Sequence, residues 1–144
     1  MVNFVLSLIT IFFLNSAATV QNIEKAFLQN NPTILYNLFS EGSHINISLP
    51  EPIFFSDQLS SHQAYFMLKK IFNSFETFEF YSDKQPFSPE EGHLIVKARW
   101  SFRDKKNNDQ FLFHVFFYLK SQDTRNSEES GTVWKITEIK AEKI

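Results

Sequence analysis

Cysteine is absent from this chain of 144 residues. Its absence excludes disulfide bonds, thiolate nucleophiles and zinc sites built on cysteine, and it leaves the redox compartment open. Glycine is scarce as well, with 3 residues against 18 phenylalanines, and hydrophobic residues make up 43% of the chain. This composition favours one packed domain with a substantial core over a disordered chain or two domains.

The sequence also lacks a cluster of basic residues. The formal net charge is -2, and the lysines and arginines are scattered along the chain. Nucleic-acid binding requires a basic surface that neutralises phosphates, so we expect no nucleic-acid partner. No two of the four histidines have the spacing of a metal-binding pair. We therefore expect no metal site and no cofactor.

The first 20 residues differ from the rest of the chain. Residues 4–14 are almost wholly apolar, and small residues follow at positions 16–18. This order is typical of a secretory signal cut after Ala18, although no lysine or arginine precedes the apolar run. We predict a signal peptide over residues 1–18 and one exported domain, periplasmic or at the cell surface, over residues 19–144. The alternatives are a membrane anchor, which would be short for a span, and a buried first helix of an uncleaved, cytoplasmic protein.

Helical and strand patterns alternate in the first half of the remaining chain. Apolar residues three and four positions apart predict a helix from Gln21 to Asn30. Pro32, capped by Asn31, begins a second helix that ends near Gly42. The alternating stretch "HINISLP" predicts a strand with one buried face, and "IFF" predicts a second, short strand.

The stretch "SHQAYFMLKKIFNSF" predicts the longest helix, capped by Ser60 or Ser61. At about 100° per residue, one side of this helix is apolar. Its members are Ala64, Met67, Leu68, Ile71, Phe72 and Phe75. His62 falls on the opposite side and Tyr65 on the flank.

Four strand patterns complete the chain, namely "TFEFYS", "HLIVKARWSFR", "FLFHVFFYLK" and "VWKITEIKAE". Helices followed by a run of strands are typical of the α+β class. We therefore predict N-terminal helices and one long helix packed on a curved, mainly antiparallel sheet.

The predicted hairpin around Asn107 and Asn108 indicates which residues of its two strands share a face of the sheet. A turn with an even number of residues pairs even positions of one strand with odd positions of the next. One face is then wholly apolar and is expected to be covered by helices: Val96, Ala98, Trp100, Phe102, Phe113, Val115, Phe117 and Leu119. The opposite face, called the outer face below, is mixed: Ile95, Lys97, Arg99, Ser101, Arg103, Leu112, His114, Phe116 and Tyr118.

Three stretches, in this order, resemble a known superfamily: "AFLQNNPTILYNLFS", "INISLPEPIFFSDQLSSHQAYFMLKKIF" and "WKITEIKAEKI". They are similar to the nuclear transport factor 2-like superfamily, a cone-shaped α+β fold also called cystatin-like. The likeness is closest to a bacterial family named domain of unknown function 4783. Its most specific part is a helix start of the form Ser-x-x-Gln-Ala, here from Ser60 to Ala64. The resemblance spans about residues 20–144 and implies the fold and export, but no activity.

Some proteins that share the cone fold are isomerases or dehydratases that set an Asp or His against a Tyr in a deep pocket. The predicted helix-covered face offers neither a carboxylate nor an imidazole, although acid–base chemistry needs such groups within hydrogen-bond reach of one atom. We therefore assign no catalytic residue and predict a non-catalytic binding or interaction module. In the alternative, an enzyme of that kind would use His62, Tyr65 or Asp57 near the mouth of the cone.

Two sets of side chains are the candidates for binding. The first is the aromatic lining of a pocket for a small apolar ligand, for which core packing is the alternative: Tyr36, Tyr65, Trp100, Phe102, Phe113 and Phe117. The second is an interface for a protein partner or a second copy of the chain: Lys97, Arg99, Arg103, Leu112, His114, Phe116 and Tyr118. The second set is more apolar than a monomer usually exposes, and relatives of the cone fold frequently dimerise through this face. A terminal strand or loop that covers the face is the alternative.

Overall fold

The structure, a computed structural model, describes residues 16–123 and 132–144. Most of the proposed signal peptide therefore lies outside the described residues. Residues 16–28 are helical (α1), so the proposed cut after Ala18 falls inside this helix. Export stays a prediction. Within the described ranges, no helix is both long and apolar enough to cross a membrane.

The second helix, α2, spans Pro32–Tyr36. Its start is as predicted, because the Asn31 side chain caps it by accepting a hydrogen bond from the Thr33 amide at 3.0 Å. Its end was predicted wrongly: the helix stops at Tyr36, well before Gly42. The reason is tertiary, since the backbone just beyond α2 bonds to Ile136 of the last strand instead of continuing the helix.

The long helix, α3, spans Ser61–Ser74 and is capped by Ser60. The Ser60 hydroxyl accepts a hydrogen bond from the Gln63 amide at 3.2 Å, and the Gln63 side chain accepts one from the Ser60 amide at 2.9 Å. This reciprocal pair is a capping box. Ala64, the next residue, is fully buried. The Ser-x-x-Gln-Ala motif therefore has a structural role: Ser60 and Gln63 cap the N-terminus of α3, and Ala64 packs in the core.

Six strands form one sheet in the order β2-β1-β6-β5-β4-β3. Their bounds are Ile45–Leu49 (β1), Phe55–Leu59 (β2), Phe75–Ser82 (β3), His93–Asp104 (β4), Gln110–Asp123 (β5) and Thr132–Lys143 (β6). β1 and β6 are parallel, and every other neighbouring pair is antiparallel. The predicted α+β class with a mainly antiparallel sheet is confirmed.

The position of β2 was predicted wrongly. "IFF" was assigned as a strand, whereas Ile53 and Phe54 lie before the strand and the polar residues Ser56 and Asp57 lie within it. β2 is an edge strand, paired only with β1 in the sheet order. A polar sequence is tolerated there because one edge of such a strand meets water, and the three central residues of β2 are exposed.

The predicted pairing of β4 with β5 is confirmed. Val96 lies opposite Phe117 and Trp100 opposite Phe113, and residues 105–109 join the two strands. The apolar face of this hairpin is buried, and the helices cover it. Phe27 of α1, for example, lies with its ring centroid 4.4 Å from that of Phe80 and 5.1 Å from that of Trp100. The core therefore lies between the helices and the concave side of the sheet.

Candidate functional site

Most of the aromatic residues predicted to line a pocket lie in the core. Trp100, Phe102, Phe113 and Phe117 are all at most 2% exposed. The ring centroids of Trp100 and Phe102 are 4.0 Å apart, and those of Phe102 and Phe113 are 4.9 Å apart. The Trp100 indole N–H donates to the Thr77 hydroxyl at 2.8 Å. Core packing, the alternative to a pocket lining, therefore describes these four side chains.

A small void remains beside Trp100, among side chains of α1, α3 and the sheet. Its volume is about 10 Å³ and its walls are apolar. A buried water needs at least that much room and several polar partners. This void therefore offers no place for a ligand, and a site must be sought outside the interior of the cone.

The other two predicted pocket residues, Tyr36 and Tyr65, meet at the surface between α2 and α3. Together with Thr33, His62 and Phe66 they line a groove of about 270 Å³, which we call the aromatic groove. The ring centroids of Tyr36 and Tyr65 are 5.6 Å apart, and those of Tyr65 and Phe66 are 5.3 Å apart. The tyrosines are half-buried, whereas Phe66 is 63% exposed.

The aromatic groove holds one hydrogen-bonded pair of titratable groups. The Tyr36 hydroxyl oxygen and Nδ1 of His62 are 3.0 Å apart. Depending on the imidazole tautomer, the phenol donates to the ring nitrogen or the ring N–H donates to the phenol oxygen. Phenol and imidazole groups are both among the side chains that serve in acid–base chemistry. No carboxylate belongs to the lining of this groove.

The sequence predicts His62 on the polar side of α3, and in the structure this side chain is exposed. The sequence does not show that α2 brings Tyr36 against that side of the helix. The third residue named for a possible enzyme, Asp57, does not line the groove. Its carboxylate accepts a hydrogen bond from the Gln58 amide of β2 at 2.7 Å.

The outer face of the sheet carries the predicted interface residues. Leu112, His114, Phe116 and Tyr118 are half-buried there, and Arg99 is exposed. The Lys97 ammonium lies 5.9 Å from the centroid of the Phe116 ring, a cation–π distance.

Two exposed aromatic residues join the outer face through their pairing with β4. One belongs to β3, and the other belongs to the segment between β3 and β4. Tyr81 lies opposite Arg99, and Phe87 lies opposite Ile95. They are 62% and 64% exposed. Neither residue is predicted as an interface residue from the sequence, because only the register against β4 shows which face they occupy.

One interface candidate, Arg103, is held by a neighbour. Its guanidinium donates to the Glu76 carboxylate of β3 through two nitrogens. This hydrogen bonding, and then the positive charge of Arg103, lowers the pKa of Glu76 below its usual value. Both side chains are nearly half exposed, so water weakens the pair and its contribution to stability is small.

The histidines are spread over the molecule. His93 forms an ion pair with Glu90 at 3.3 Å when it is protonated, and His62 contacts Tyr36 in the aromatic groove. Over residues 16–123 and 132–144, no three side chains of metal-binding types are grouped as ligands for an ion.

Comparison with known proteins establishes the fold. A structure of a domain of unknown function 4783 family protein from Bacteroides ovatus is similar over 85% of this chain and 93% of its own, with a TM-score of 0.61 and 15% identity. A ketosteroid isomerase-like protein from Erwinia carotovora is similar over 88% and 92%, with a TM-score of 0.64 and 11% identity.

A third similar structure is that of a putative scytalone dehydratase from Novosphingobium aromaticivorans, which covers 100% of this chain and 89% of its own, with a TM-score of 0.64 and 13% identity. No family model matches the sequence, and no curated protein matches it. The predicted nuclear transport factor 2-like fold is therefore confirmed. Identities this low show a shared fold, and they carry no activity to this chain.

Proposed function

We propose that this protein is a non-catalytic binding domain that takes a small aromatic ligand in the aromatic groove. One observation carries the proposal: the interior of the cone is filled by Trp100 and its neighbours, whereas the aromatic groove is open at the surface. Ligand sites are concave and mainly apolar with a few polar groups. The rings of Tyr36, Tyr65 and Phe66 supply the apolar walls, and the hydroxyl of Thr33 and the imidazole of His62 supply the polar groups.

The size and the charge near the groove narrow the ligand class. A volume of about 270 Å³ is slightly below the range that drug-sized ligands occupy, so one ring with a short substituent is the expected size. Lys69 and Lys70 are exposed on α3, each one helical turn beyond Tyr65 and Phe66. These ammonium groups favour a substituent with negative charge. An aromatic carboxylate is therefore the expected ligand class.

Titration of the full chain with phenylacetate, followed by NMR, tests this proposal. Phenylacetate is expected to shift the signals of α2 and the first turns of α3, and phenethylamine, which carries the opposite charge, is expected to bind more weakly. The Tyr36→Ala variant loses one wall of the groove, so its affinity for phenylacetate is expected to fall about tenfold, or about 1.4 kcal/mol.

The matched control for this experiment is Tyr81→Ala, which removes an exposed tyrosine of the sheet. Its affinity for phenylacetate is expected to equal that of the wild type. Equal losses in both variants, or no binding of phenylacetate to the wild type, would contradict the proposal.

A second candidate function is acid–base catalysis, favoured by the 3.0 Å separation of the Tyr36 hydroxyl and His62. Structures similar to this chain include proteins named as a putative scytalone dehydratase and as ketosteroid isomerase-like. Proton exchange between a simple ketone and D₂O separates the two functions. The binding proposal predicts no exchange above background. Exchange that is catalysed by the wild type and lost in His62→Gln would replace it with an enzyme.

The outer face is proposed to bind a second copy of the chain. Lys97 and Arg99 lie on its β4 side. β6 presents Glu138, Lys140 and Glu142 to the same face through their pairing with β5. A two-fold axis along β5 would set β4 of one copy against β6 of the other. Arg99 of one copy would then face Glu142 of the other, Lys97 would face Lys140, and Phe116 would pack near the axis. The contact of Arg99 with Glu142, made twice, and the contact of Phe116 with its own copy are the self-complementary part of this surface, which a symmetric dimer requires.

Sedimentation of the full chain tests the dimer. The wild type is expected to sediment as a dimer, and Phe116→Asp as a folded monomer, because a carboxylate near the axis meets its own copy and loses water. The control, Phe66→Asp, changes an exposed phenylalanine of α3 and is expected to remain dimeric. A monomeric wild type would rule out the dimer, and a dimeric Phe116→Asp would rule out this interface.

A further inference from the structure

A second groove lies where β1, β5 and β6 meet the loop that follows α2. Its volume is about 690 Å³, and we call it the polar groove. The lining residues that matter most are Ser40, Glu41, Asn46, Lys120, Gln122 and Glu138. It shares no lining residue with the aromatic groove, whereas its Glu138 also belongs to the outer face proposed for the dimer.

A detour of the chain builds one wall of the polar groove. Phe39 pairs with Ile136 of β6, and Asn46 pairs with Glu138, only two residues further along β6. Residues 41–44 therefore have no room within the ladder and leave the sheet. Gly42 turns this segment with a φ of +74°, a conformation that residues with a side chain rarely adopt.

The floor of the groove also departs from regular pairing. The register of β5 and β6 shifts between Tyr118 and Leu119, which leaves Thr137 as an extra residue of β6. The Thr137 hydroxyl donates to the Tyr118 carbonyl at 3.2 Å. A bulge of this kind is common next to binding sites, because it changes the direction of the neighbouring side chains.

Hydrogen bonds within the protein hold the groove in shape. Ser40 is 2% exposed, and its hydroxyl oxygen accepts hydrogen bonds from the Ser43 hydroxyl at 3.0 Å and from the Gln122 amide at 2.5 Å. These bonds join the detour to β5. The polar groups of the groove are therefore positioned before any ligand arrives, which reduces the entropy lost on binding.

We propose that the polar groove binds a neutral saccharide. The lining alternates donors and acceptors: the amides of Asn46 and Gln122 supply both, the Glu138 carboxylate accepts and Lys120 donates. Each sugar hydroxyl likewise donates and accepts.

Charge disfavours the other small polar ligands. The carboxylates of Glu41 and Glu138 oppose a phosphate or another anion, and Lys120 opposes a metal ion. Within the part of the chain that the structure describes, no three carboxylate or imidazole groups converge as cation ligands. A neutral ligand with many hydroxyl groups makes use of both signs of charge through hydrogen bonds.

NMR titration of the full chain with maltose, cellobiose and N,N′-diacetylchitobiose tests this site. At least one of these saccharides is expected to shift the signals of residues 40–46 and of the facing ends of β5 and β6, with a Kd on the order of 1 mM or below. Inorganic phosphate and Ca²⁺ are titrated in parallel, and neither is expected to shift the same signals.

Two pairs of variants locate the binding. Gln122→Leu is expected to weaken saccharide binding about tenfold or more, whereas Gln110→Leu, at the other end of β5, is expected to leave it unchanged. Gln122→Leu also removes the hydrogen bond to Ser40. A second variant that leaves this bond intact is therefore tested as well. Asn46→Ala, at an exposed site of β1, is expected to weaken binding to a similar degree, and Asn73→Ala on α3 is its control.

Loss of binding in Asn46→Ala alone supports the site if Gln122→Leu does not fold. The absence of binding by all three saccharides would overturn the proposal. Saccharide binding that survives both Gln122→Leu and Asn46→Ala would place the ligand elsewhere and overturn it too. Signals of the groove that respond only to phosphate or Ca²⁺ would replace the saccharide with an ion. Saccharide binding is tested independently of the aromatic groove, because phenylacetate is followed through the signals of α2 and α3 and the saccharides through those of residues 40–46, β5 and β6.

Discussion

Replacement of Phe117 by alanine is expected to lower the free energy of unfolding by about 3–5 kcal/mol, because it leaves a cavity in a close-packed core. Phe117 is fully buried. The edge of its ring meets the Phe27 ring of α1, with the centroids 5.6 Å apart, and its strand neighbours on the same face are Val96 and Ile139. Urea unfolding of the full chain, with comparison of midpoints and slopes, measures the loss.

Phe66→Ala is the matched control for Phe117→Ala. The Phe66 ring is 63% exposed on α3, and alanine is the best helix former. We expect its free energy of unfolding to change by less than about 0.5 kcal/mol. A loss below about 1 kcal/mol for Phe117→Ala would mean that the interior is open to water. In that case the interior of the cone would have room for a ligand, and a surface site would no longer be required.

Replacement of Asn30 is expected to have the second-largest effect. Asn30 follows α1 with a positive φ of 48°, and its side chain reaches the junction of α3 and β3. The amide nitrogen donates to the carbonyls of Phe72 at 3.3 Å and Phe75 at 3.0 Å, and the amide oxygen accepts from the Thr77 N–H at 3.3 Å. One side chain thus satisfies three backbone groups that belong to two other elements.

Asn30→Ala is expected to destabilise the protein by about 2–4 kcal/mol. About 1–3 kcal/mol comes from the partly buried backbone groups that lose their partner, and about 1 kcal/mol comes from forcing alanine into the left-handed region. Asn30→Gly loses the same hydrogen bonds but adopts this backbone freely, so we expect it to be more stable than Asn30→Ala by about 0.5–1 kcal/mol. Thermal and urea unfolding of both variants measure the two parts.

The two Asn30 variants also test each part separately. Wild-type stability in Asn30→Gly would show that the three hydrogen bonds contribute nothing. Equal stability of Asn30→Gly and Asn30→Ala would show that the positive φ has no cost.

The sequence predicts Asn30 at the end of a helix, and the structure places it just after α1. Its bonds to Phe72, Phe75 and Thr77 could not be predicted, because those residues are more than 40 positions away in the chain.

Much of the fold follows from short-range patterns in the sequence. The cap at Asn31, the apolar side of α3 and the pairing parity of β4 with β5 were all predicted, because each depends on residues within a few positions or on one turn. The end of α2 and the position of β2 were predicted wrongly. Both depend on a neighbour that is distant in the chain: Ile136 stops α2 by pairing with the residues that follow it, and β1 recruits a polar segment as an edge strand.

The candidate sites were less predictable than the fold. Tyr36, Tyr65 and His62 were named from the sequence, but in two separate roles, as a pocket lining and as possible catalytic groups. The structure brings them together in one groove. The polar groove had no signal in the sequence, because its residues come from three strands and a loop, each with an ordinary surface composition.

The sequence by itself determined which segments become helices and strands and which of their faces are apolar, because periodicity and capping are properties of neighbouring residues. Only the tertiary structure decided that the cone is filled and that the aromatic groove and the polar groove lie outside it. The contacts that build those grooves, between Tyr36 and His62 and between Ser40 and Gln122, join residues 26 and 82 positions apart. Such contacts arise from the packing of whole elements against one another, and no local pattern encodes them.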